Sequence, residues 1–139
     1  MKRRLDEAQR SLRTAARDIQ AFQVLKGAPE INLASVCFHA QQAVEKLLEA
    51  ILFLRQVELR RTHDLVELAL LLSQHGMETP IAPYELSRLN PFAVTLRYDE
   101  MEINIISREE ASEWVMLIYH WAEESVRGAM AGPDAPNDD

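Results

Sequence analysis

The stretch VCFHAQQAVEKLLEAILFL, residues 36–54, decides the fold class of this chain. Apolar residues recur in it at three- and four-residue steps, which is the period of one face of an α-helix. These residues are Val36, Ala40, Ala43, Leu47, Ala50 and Leu54. Asn32, a good N-cap residue, precedes the run, and the pattern lasts to about Arg55. The stretch therefore predicts a long, buried helix.

Two further long helices are predicted near the ends of the chain. Residues 2–26 have the helical period and are followed by Gly27 and Pro29, which end a helix. The sequence S-R-E-E, starting at Ser107, is a capping box, and the apolar pattern after it continues until Gly128. Both segments are long enough to pack lengthwise against other helices of a bundle.

A fourth long helix is expected to open at Thr62, with His63 and Asp64 in its first turn, and to stop at Gly76. Prolines between residues 80 and 106 leave room only for short helices, at about 84–89 and 91–97. No segment has a convincing strand pattern. The sequence therefore predicts an all-α protein, an antiparallel up-and-down bundle of four long helices plus a short fifth helix.

The composition suits a single domain, because 139 residues with 47 % hydrophobic residues can bury a sizeable core. We expect residues 1–128 to form the bundle and residues 129–139 to form a disordered acidic tail. No hydrophobic run approaches the roughly 20 residues of a membrane span, and the N-terminal segment lacks the apolar core of a signal peptide. The single cysteine, Cys37, cannot form an internal disulfide. We expect a cytoplasmic protein without membrane contact.

The formal net charge of −7 is distributed unevenly, with a basic segment at residues 1–17 and an acidic one at residues 99–124. This asymmetry permits a local anion site but argues against extensive coating by nucleic acid. Four arginines of the first helix share one side and form a basic stripe: Arg3, Arg10, Arg13 and Arg17. The stripe either contacts nucleic acid or is a solvated face that Asp6 partly neutralises.

Three polar clusters are candidates for a functional site. On the helix of residues 36–54, one side has the polar residues His39, Gln42, Lys46 and Glu49. This stripe is either a solvated face or the lining of a groove or symmetric interface.

The second cluster, ELRRTHDL at residues 58–65, places Arg60, Arg61 and His63 at a predicted helix N-terminus. Cations beside unpaired amides suit a phosphate, although a loop with solubilising charges is the alternative. In the third cluster, Arg97 and Tyr98 either contact a base or phosphate or pair with neighbouring acids. The four histidines lack the close spacing of a zinc site, so no metal and no cofactor are expected.

The motifs FHAQQAVEKLLEAIL, RRTHDLVEL and LRYDE, in this order and at this spacing, resemble the HEPN domain family over roughly residues 1–127. The resemblance implies an up-and-down helical bundle, usually a homodimer packed through its long helices, and often a neighbouring minimal nucleotidyltransferase. Some members resemble nucleotide-binding accessory subunits, whereas others are metal-independent ribonucleases that act as toxins or defence effectors.

The ribonuclease branch of the family uses an arginine followed, after four to six residues, by a histidine. This chain departs from that pattern, because Arg108 precedes His120 by twelve positions and Arg60 and Arg61 lie too close to His63. Cleavage through the RNA 2′-hydroxyl needs a base and a cation at one phosphate. We therefore expect no catalytic residues, and RNA is not the favoured ligand. The alternative is an unusual ribonuclease toxin that uses His63 and Arg97.

The sequence favours a nucleotide- or phosphate-binding accessory subunit that works with a nucleotidyltransferase in a toxin–antitoxin-like pair. The expected ligand contacts are phosphate at Arg60, Arg61 and His63, polar contacts at Gln42 and Lys46, and the base at Arg97 and Tyr98. A purely structural, homodimeric interaction module is a further alternative. The consecutive apolar residues 51–53 and 70–72 also favour a homodimer, because a lone bundle would leave some of them exposed.

Overall fold

The computed structural model describes residues 2–59, 61–93 and 105–131. The regular secondary structure in these ranges is helical, and they contain no strand. The elements are α1 (Lys2–Lys26), α2 (Leu33–Leu54), α3 (Leu65–Gln74), α4 (Pro83–Leu86), a 3-10 helix (Ser87–Phe92) and α5 (Arg108–Ala131). The all-α prediction is confirmed. Only three of the helices are long, however, since α3 has 10 residues. In the described ranges, no helix has both the length and the apolar character needed to cross a lipid bilayer.

Helix α2 is the central element, and it packs against α1, α3, α5 and the 3-10 helix. Its predicted N-cap is confirmed, because the Asn32 side chain accepts a hydrogen bond from the Ser35 amide at 2.8 Å. Burial extends around most of the helix and includes two polar side chains, Gln41 and Glu45. A helix buried on so many sides requires partners for its polar groups as well as for its apolar ones.

Helices α1 and α2 run antiparallel. The Ser11 hydroxyl of α1 donates to the Lys46 carbonyl at 2.7 Å, and the Arg4 guanidinium donates to the Leu54 carbonyl at 2.5 Å. Residues early in α1 thus meet residues late in α2. Helix α5 also runs antiparallel to α1, and Lys26 contacts the Ser112 hydroxyl at 3.2 Å.

The predicted start of α3 is wrong by two residues. Its N-cap is Asp64, whose carboxylate accepts hydrogen bonds from the amides of Val66 and Glu67. The Thr62 hydroxyl instead accepts from the Asp64 amide at 3.0 Å, so it shapes the turn before the helix. A carboxylate is the stronger acceptor, and its charge suits the positive end of the helix dipole.

Other boundaries also differ from the predictions. At the start of α5 the Ser107 cap is confirmed, because its hydroxyl accepts from the Glu110 amide at 3.0 Å, whereas the Glu110 carboxylate binds Arg88. The helix does not end at Gly128 but continues to Ala131. In the proline-rich region, α4 and the 3-10 helix replace the two predicted short helices, and residues 94–104 lie outside the described ranges.

Part of the sequence reasoning for a homodimer does not hold. Ile51 and Leu52 are fully buried within one copy of the chain, because α2 packs on several sides. Phe53 and Leu71 are half-buried, and Leu70 is 48 % exposed. The residues that a second copy could cover are therefore fewer than the two apolar runs indicate.

Arg108 joins the beginning of α5 to the end of α1. Its guanidinium donates to the carbonyls of Leu25, Lys26 and Ala28 at 3.1–3.2 Å and also to the Ile31 carbonyl. The last carbonyls of a helix have no partners within the helix, and a cation also suits the negative end of its dipole. One side chain thus satisfies the end of α1 and the turn that leads to α2.

We predict that Arg108→Met, which keeps the apolar stem and removes the guanidinium, lowers the free energy of unfolding by about 3 kcal/mol. The expected loss is large because several carbonyls lose a charged donor together. Urea denaturation measures the effect. The control is Arg127→Met, which removes an exposed pair with Glu123 and should change stability by less than about 0.5 kcal/mol. Equal stabilities of the two variants would contradict the role of Arg108.

Candidate functional site

A buried carboxylate holds an exposed histidine at the surface of the bundle. The side chain of Glu45 is only 4 % exposed, whereas that of His63 is 59 % exposed. The two meet at 3.0 Å between Glu45 Oε1 and His63 Nδ1. Because an ionised carboxylate only accepts hydrogen bonds, Nδ1 carries the proton of this contact. In the neutral ring, Nε2 is then an acceptor.

Two glutamines complete this cluster. The Gln41 side-chain amide donates both to Glu45 Oε1 and to the His63 carbonyl, each at 3.1 Å. The Gln42 amide donates to Gln41 Oε1 at 2.8 Å. Residue 63 is thus bound to α2 through its ring and through its backbone. We call Gln41, Gln42, Glu45 and His63 the His63 cluster.

The predicted phosphate site at the N-terminus of α3 is not available in the expected form. Asp64 already binds the amides of Val66 and Glu67, and the Leu65 amide donates to Asn90 Oδ1 at 2.9 Å. The Asn90 side chain also donates to the Asp64 carboxylate. These amides have partners, so an anion near residue 63 would be bound by side chains rather than by the helix end.

The polar stripe of α2 forms the floor of a shallow groove. Lys46, Glu49 and Phe53 follow one another at three- and four-residue steps, and Gln42 continues the row by one turn. Helix α1 borders one side of this row, and the segment after α2 borders the other. Two residues of the predicted stripe, Lys46 and Glu49, thus line a groove, whereas Gln42 donates to Gln41 and His39 contacts Asp18 at 3.4 Å.

The groove contains two adjoining cavities that share Glu7 and Phe53. The first has about 250 Å³ and is lined by Glu7, Arg10, Ser11, Thr14, Lys46, Glu49 and Phe53. The second has about 380 Å³ and is lined by Arg3, Arg4, Glu7, Phe53, Gln56, Val57, Glu58 and Leu59. Their combined size and their mixture of apolar and charged walls are typical of a site for a small organic ligand.

Lys46 and Glu49 form a loose pair in the first cavity, with 3.5 Å between Nζ and Oε1. Burial raises the pKa of the Glu49 carboxyl above its usual range; the charge of Lys46 opposes this effect, and that of Glu45 adds to it. Glu49 therefore lies within the electrostatic influence of Glu45, which belongs to the His63 cluster.

Of the remaining predicted site residues, the structure describes only Arg61. Arg61 is exposed, and within the described ranges it has no hydrogen-bond or ion-pair partner. Arg60, Arg97 and Tyr98 lie outside the described residues. Phe53 is not among the predicted site residues, although its place one turn beyond Glu49 on α2 was a usable signal.

Chemistry based on thiols or metals has no support in the described part of the chain. Burial raises the pKa of the Cys37 thiol to about 12, with Arg108 opposing the rise, so the group remains protonated and unreactive. Among residues 2–59, 61–93 and 105–131, no cluster of His, Cys, Asp or Glu could hold a metal ion.

The four arginines of the predicted basic stripe are all exposed on the surface of α1.

The raised pKa of Glu49 predicts a pH effect on stability. At a pH between the usual pKa of a glutamate and the raised pKa of Glu49, the folded protein binds more protons than the unfolded chain. The contribution of Glu49 to the free energy of unfolding therefore falls as the pH rises. Glu49→Gln should therefore be more stable than the wild type at pH 7, with a smaller difference at pH 4. Urea denaturation at both pH values tests this, with Glu113→Gln on the exposed face of α5 as control. A loss of stability at pH 7 would contradict the prediction.

Comparison with known proteins gives one result. The family model described as HEPN domain matches residues 2–124, which is most of the chain. No curated protein and no solved structure matches significantly. The match includes α1 to α4, the His63 cluster, both cavities of the groove and most of α5. The chain belongs to the HEPN domain family.

Proposed function

We propose that this protein is a nucleotide- or phosphate-binding accessory subunit that works with a nucleotidyltransferase partner in a toxin–antitoxin-like pair. One observation carries the proposal: an exposed imidazole, His63, is fixed by the buried carboxylate of Glu45, which precedes the groove-lining Lys46 on α2. A fixed polar ring near cationic side chains is suited to binding an anionic group. Membership of the HEPN family supports the nucleotide as the ligand class.

The charges around the His63 cluster favour a phosphate. Arg61 lies two residues before His63, and Lys46 lies one residue after Glu45. The neighbouring Arg60 belongs to the same sequence motif and adds a third cation to the proposal. Arg97 and Tyr98 remain proposed contacts to the base, since their segment lies outside the described ranges.

We include a homodimer in the proposal. On α3, Leu70 is 48 % exposed and lies beside the half-buried Val66 and Leu71, which line the same depression of about 400 Å³. Exposed apolar groups grouped on one helix are typical of surfaces that a second copy or a partner covers. Sedimentation at micromolar concentration tests this part, and a monomer would contradict it.

We predict that the full-length protein binds ATP, GTP or their diphosphates in calorimetry, alone or with a nucleotidyltransferase partner. The double variant Arg60→Ala/Arg61→Ala should weaken binding more than ten-fold, because each arginine can make a charge-assisted hydrogen bond worth about 1.5–3 kcal/mol. Arg13→Ala/Arg17→Ala is the matched control, since it removes equal charge from the exposed face of α1. No binding at millimolar concentration would overturn the proposal.

A metal-independent ribonuclease is the second candidate, and the Glu45–His63 pair specifically favours it. A histidine whose Nδ1 is held by a buried carboxylate and whose Nε2 is an acceptor has the arrangement of a general base. The cationic partner at the phosphate would be Arg97 or an arginine of a second copy. This candidate lacks the arginine–histidine spacing of the ribonuclease branch of the family.

For the ribonuclease, we predict cleavage of mixed RNA that persists in EDTA and disappears in His63→Ala. Glu45→Gln should reduce the cleavage rate at least ten-fold while the fold remains, because the glutamine amide cannot stabilise the imidazolium that forms. Gel analysis of the RNA and circular dichroism of each variant give these results. Intact RNA with the wild-type protein would exclude the second candidate and leave the nucleotide-binding role.

A further inference from the structure

Two helices in this protein end with the same hydrogen-bond motif but with different residues at its central position. After α3, the amides of Gly76 and Met77 donate to the carbonyls of Ser73 and Leu72, both at 3.0 Å. Gly76 has a φ of +80°, in the left-handed region that glycine adopts without steric cost. This is the usual way in which a helix ends.

At the end of α2, the amide of Gln56 donates to Phe53 at 3.0 Å and that of Val57 to Leu52 at 2.9 Å. Gln56 occupies the position that glycine has after α3, and its φ is +59°. A side chain in this conformation is sterically unfavourable, and glycine would avoid the cost. Residues held in such conformations tend to occur where function requires the side chain.

Gln56 lines the second cavity of the groove together with Phe53, Val57 and Leu59. This cavity has an aromatic ring, two apolar side chains and an amide that both donates and accepts hydrogen bonds. Phe53 is half-buried and borders both cavities, so part of its surface remains open to a ligand. These groups match the needs of a nucleobase, which has a flat face and a polar edge.

The first cavity has charged side chains of both signs. Arg10 from α1 and Lys46 from α2 line it together with the carboxylates of Glu7 and Glu49, and Lys46 contacts Glu49 at 3.5 Å. A phosphate there would bind the two cations and replace Glu49 as the partner of Lys46. Lys46 and Phe53 are seven residues apart on α2, which is about 10 Å along the helix axis. A nucleoside triphosphate is long enough to place its base at Phe53 and its phosphates at Lys46.

We infer that the groove binds a nucleoside triphosphate with the base stacked on Phe53 and bonded by Gln56, and with the phosphates between Arg10 and Lys46. Glu7 borders both cavities and would accept hydrogen bonds from the ribose hydroxyls. This inference rests on the proposed function, but it gives the base a different position from Arg97 and Tyr98 and the phosphates a different position from Arg60, Arg61 and His63.

The test compares ATP with inorganic tripolyphosphate, which has the phosphates but no base, in calorimetry with the full-length protein. Phe53→Leu keeps an apolar side chain and removes the ring. It should weaken ATP binding about ten-fold, the effect expected for one lost base stack, and leave tripolyphosphate binding unchanged. Phe38→Leu is the matched control, because Phe38 is also half-buried on α2 but lines neither cavity.

Gln56→Gly provides a second, independent readout. This variant should raise the melting temperature by about 3 °C, because glycine relieves the left-handed strain, and should weaken ATP binding without affecting tripolyphosphate. A protein that is more stable yet binds ATP less tightly separates a ligand contact from a structural role. The control is Gln74→Gly, an exposed position in the last turn of α3, which should lower stability and leave ATP binding unchanged.

The outcomes distinguish this inference from the proposed function. If ATP binds but both groove variants bind it as the wild type does, the base lies elsewhere and the inference is overturned, whereas the nucleotide-binding role remains. Equal weakening of ATP and tripolyphosphate would show that Phe53 acts only through the shape of the groove, which also overturns it. If neither ligand binds to the wild type, the proposed function itself fails.

Discussion

A carboxylate that is withdrawn from water must have hydrogen-bond donors close by, and in this protein that requirement organises the surface around α2. Glu45 lies on the central helix, where the neighbouring elements cover its side chain almost completely. Its donors are Gln41, one turn earlier, and His63, which comes from the segment between α2 and α3. An unpaired carboxylate here would cost several kcal/mol, so the segment is held where His63 can reach it. The position of the imidazole is thus a consequence of burial.

The periodicity of the chain predicts its helices well, because the apolar spacing of α1, α2 and α5 persists over many turns. Boundaries set by competing polar groups were harder to predict. Thr62 and Asp64 are both good caps, and the contact of Asp64 with Asn90, which is distant in sequence, identifies the one that begins α3. Gly128 does not end α5, since an isolated glycine in a long helix is tolerated at modest cost.

The candidate site was only partly predictable, because the roles of several of its residues depend on burial and on contacts between distant segments. Gln42, Lys46 and His63 were recognisable as polar groups, and the structure places Gln42 and His63 in one hydrogen-bonded cluster and Lys46 in the groove. The role of Glu45 depends on how deeply it is buried, which a single sequence does not report. Phe53 is apolar and reads as core, yet α1 and the end of α2 leave one side of it open. The left-handed conformation of Gln56 has no sequence signal, because glutamine is not the residue that such a position favours.

The contacts of Arg108 have a consequence for how the molecule assembles during synthesis. The carbonyls that it binds belong to residues 25–31, which leave the ribosome about eighty positions before their partner does. Until the last helix emerges, these carbonyls lack the guanidinium, although those of Leu25 and Ala28 accept hydrogen bonds from the nearby amides of Ala28 and Ile31. The turn between α1 and α2 therefore gains its last hydrogen bonds late, when the C-terminal helix docks and completes the bundle. A nascent chain that has completed α1, α2 and α3 would thus have the residues of the groove but not yet the bonds that fasten this turn.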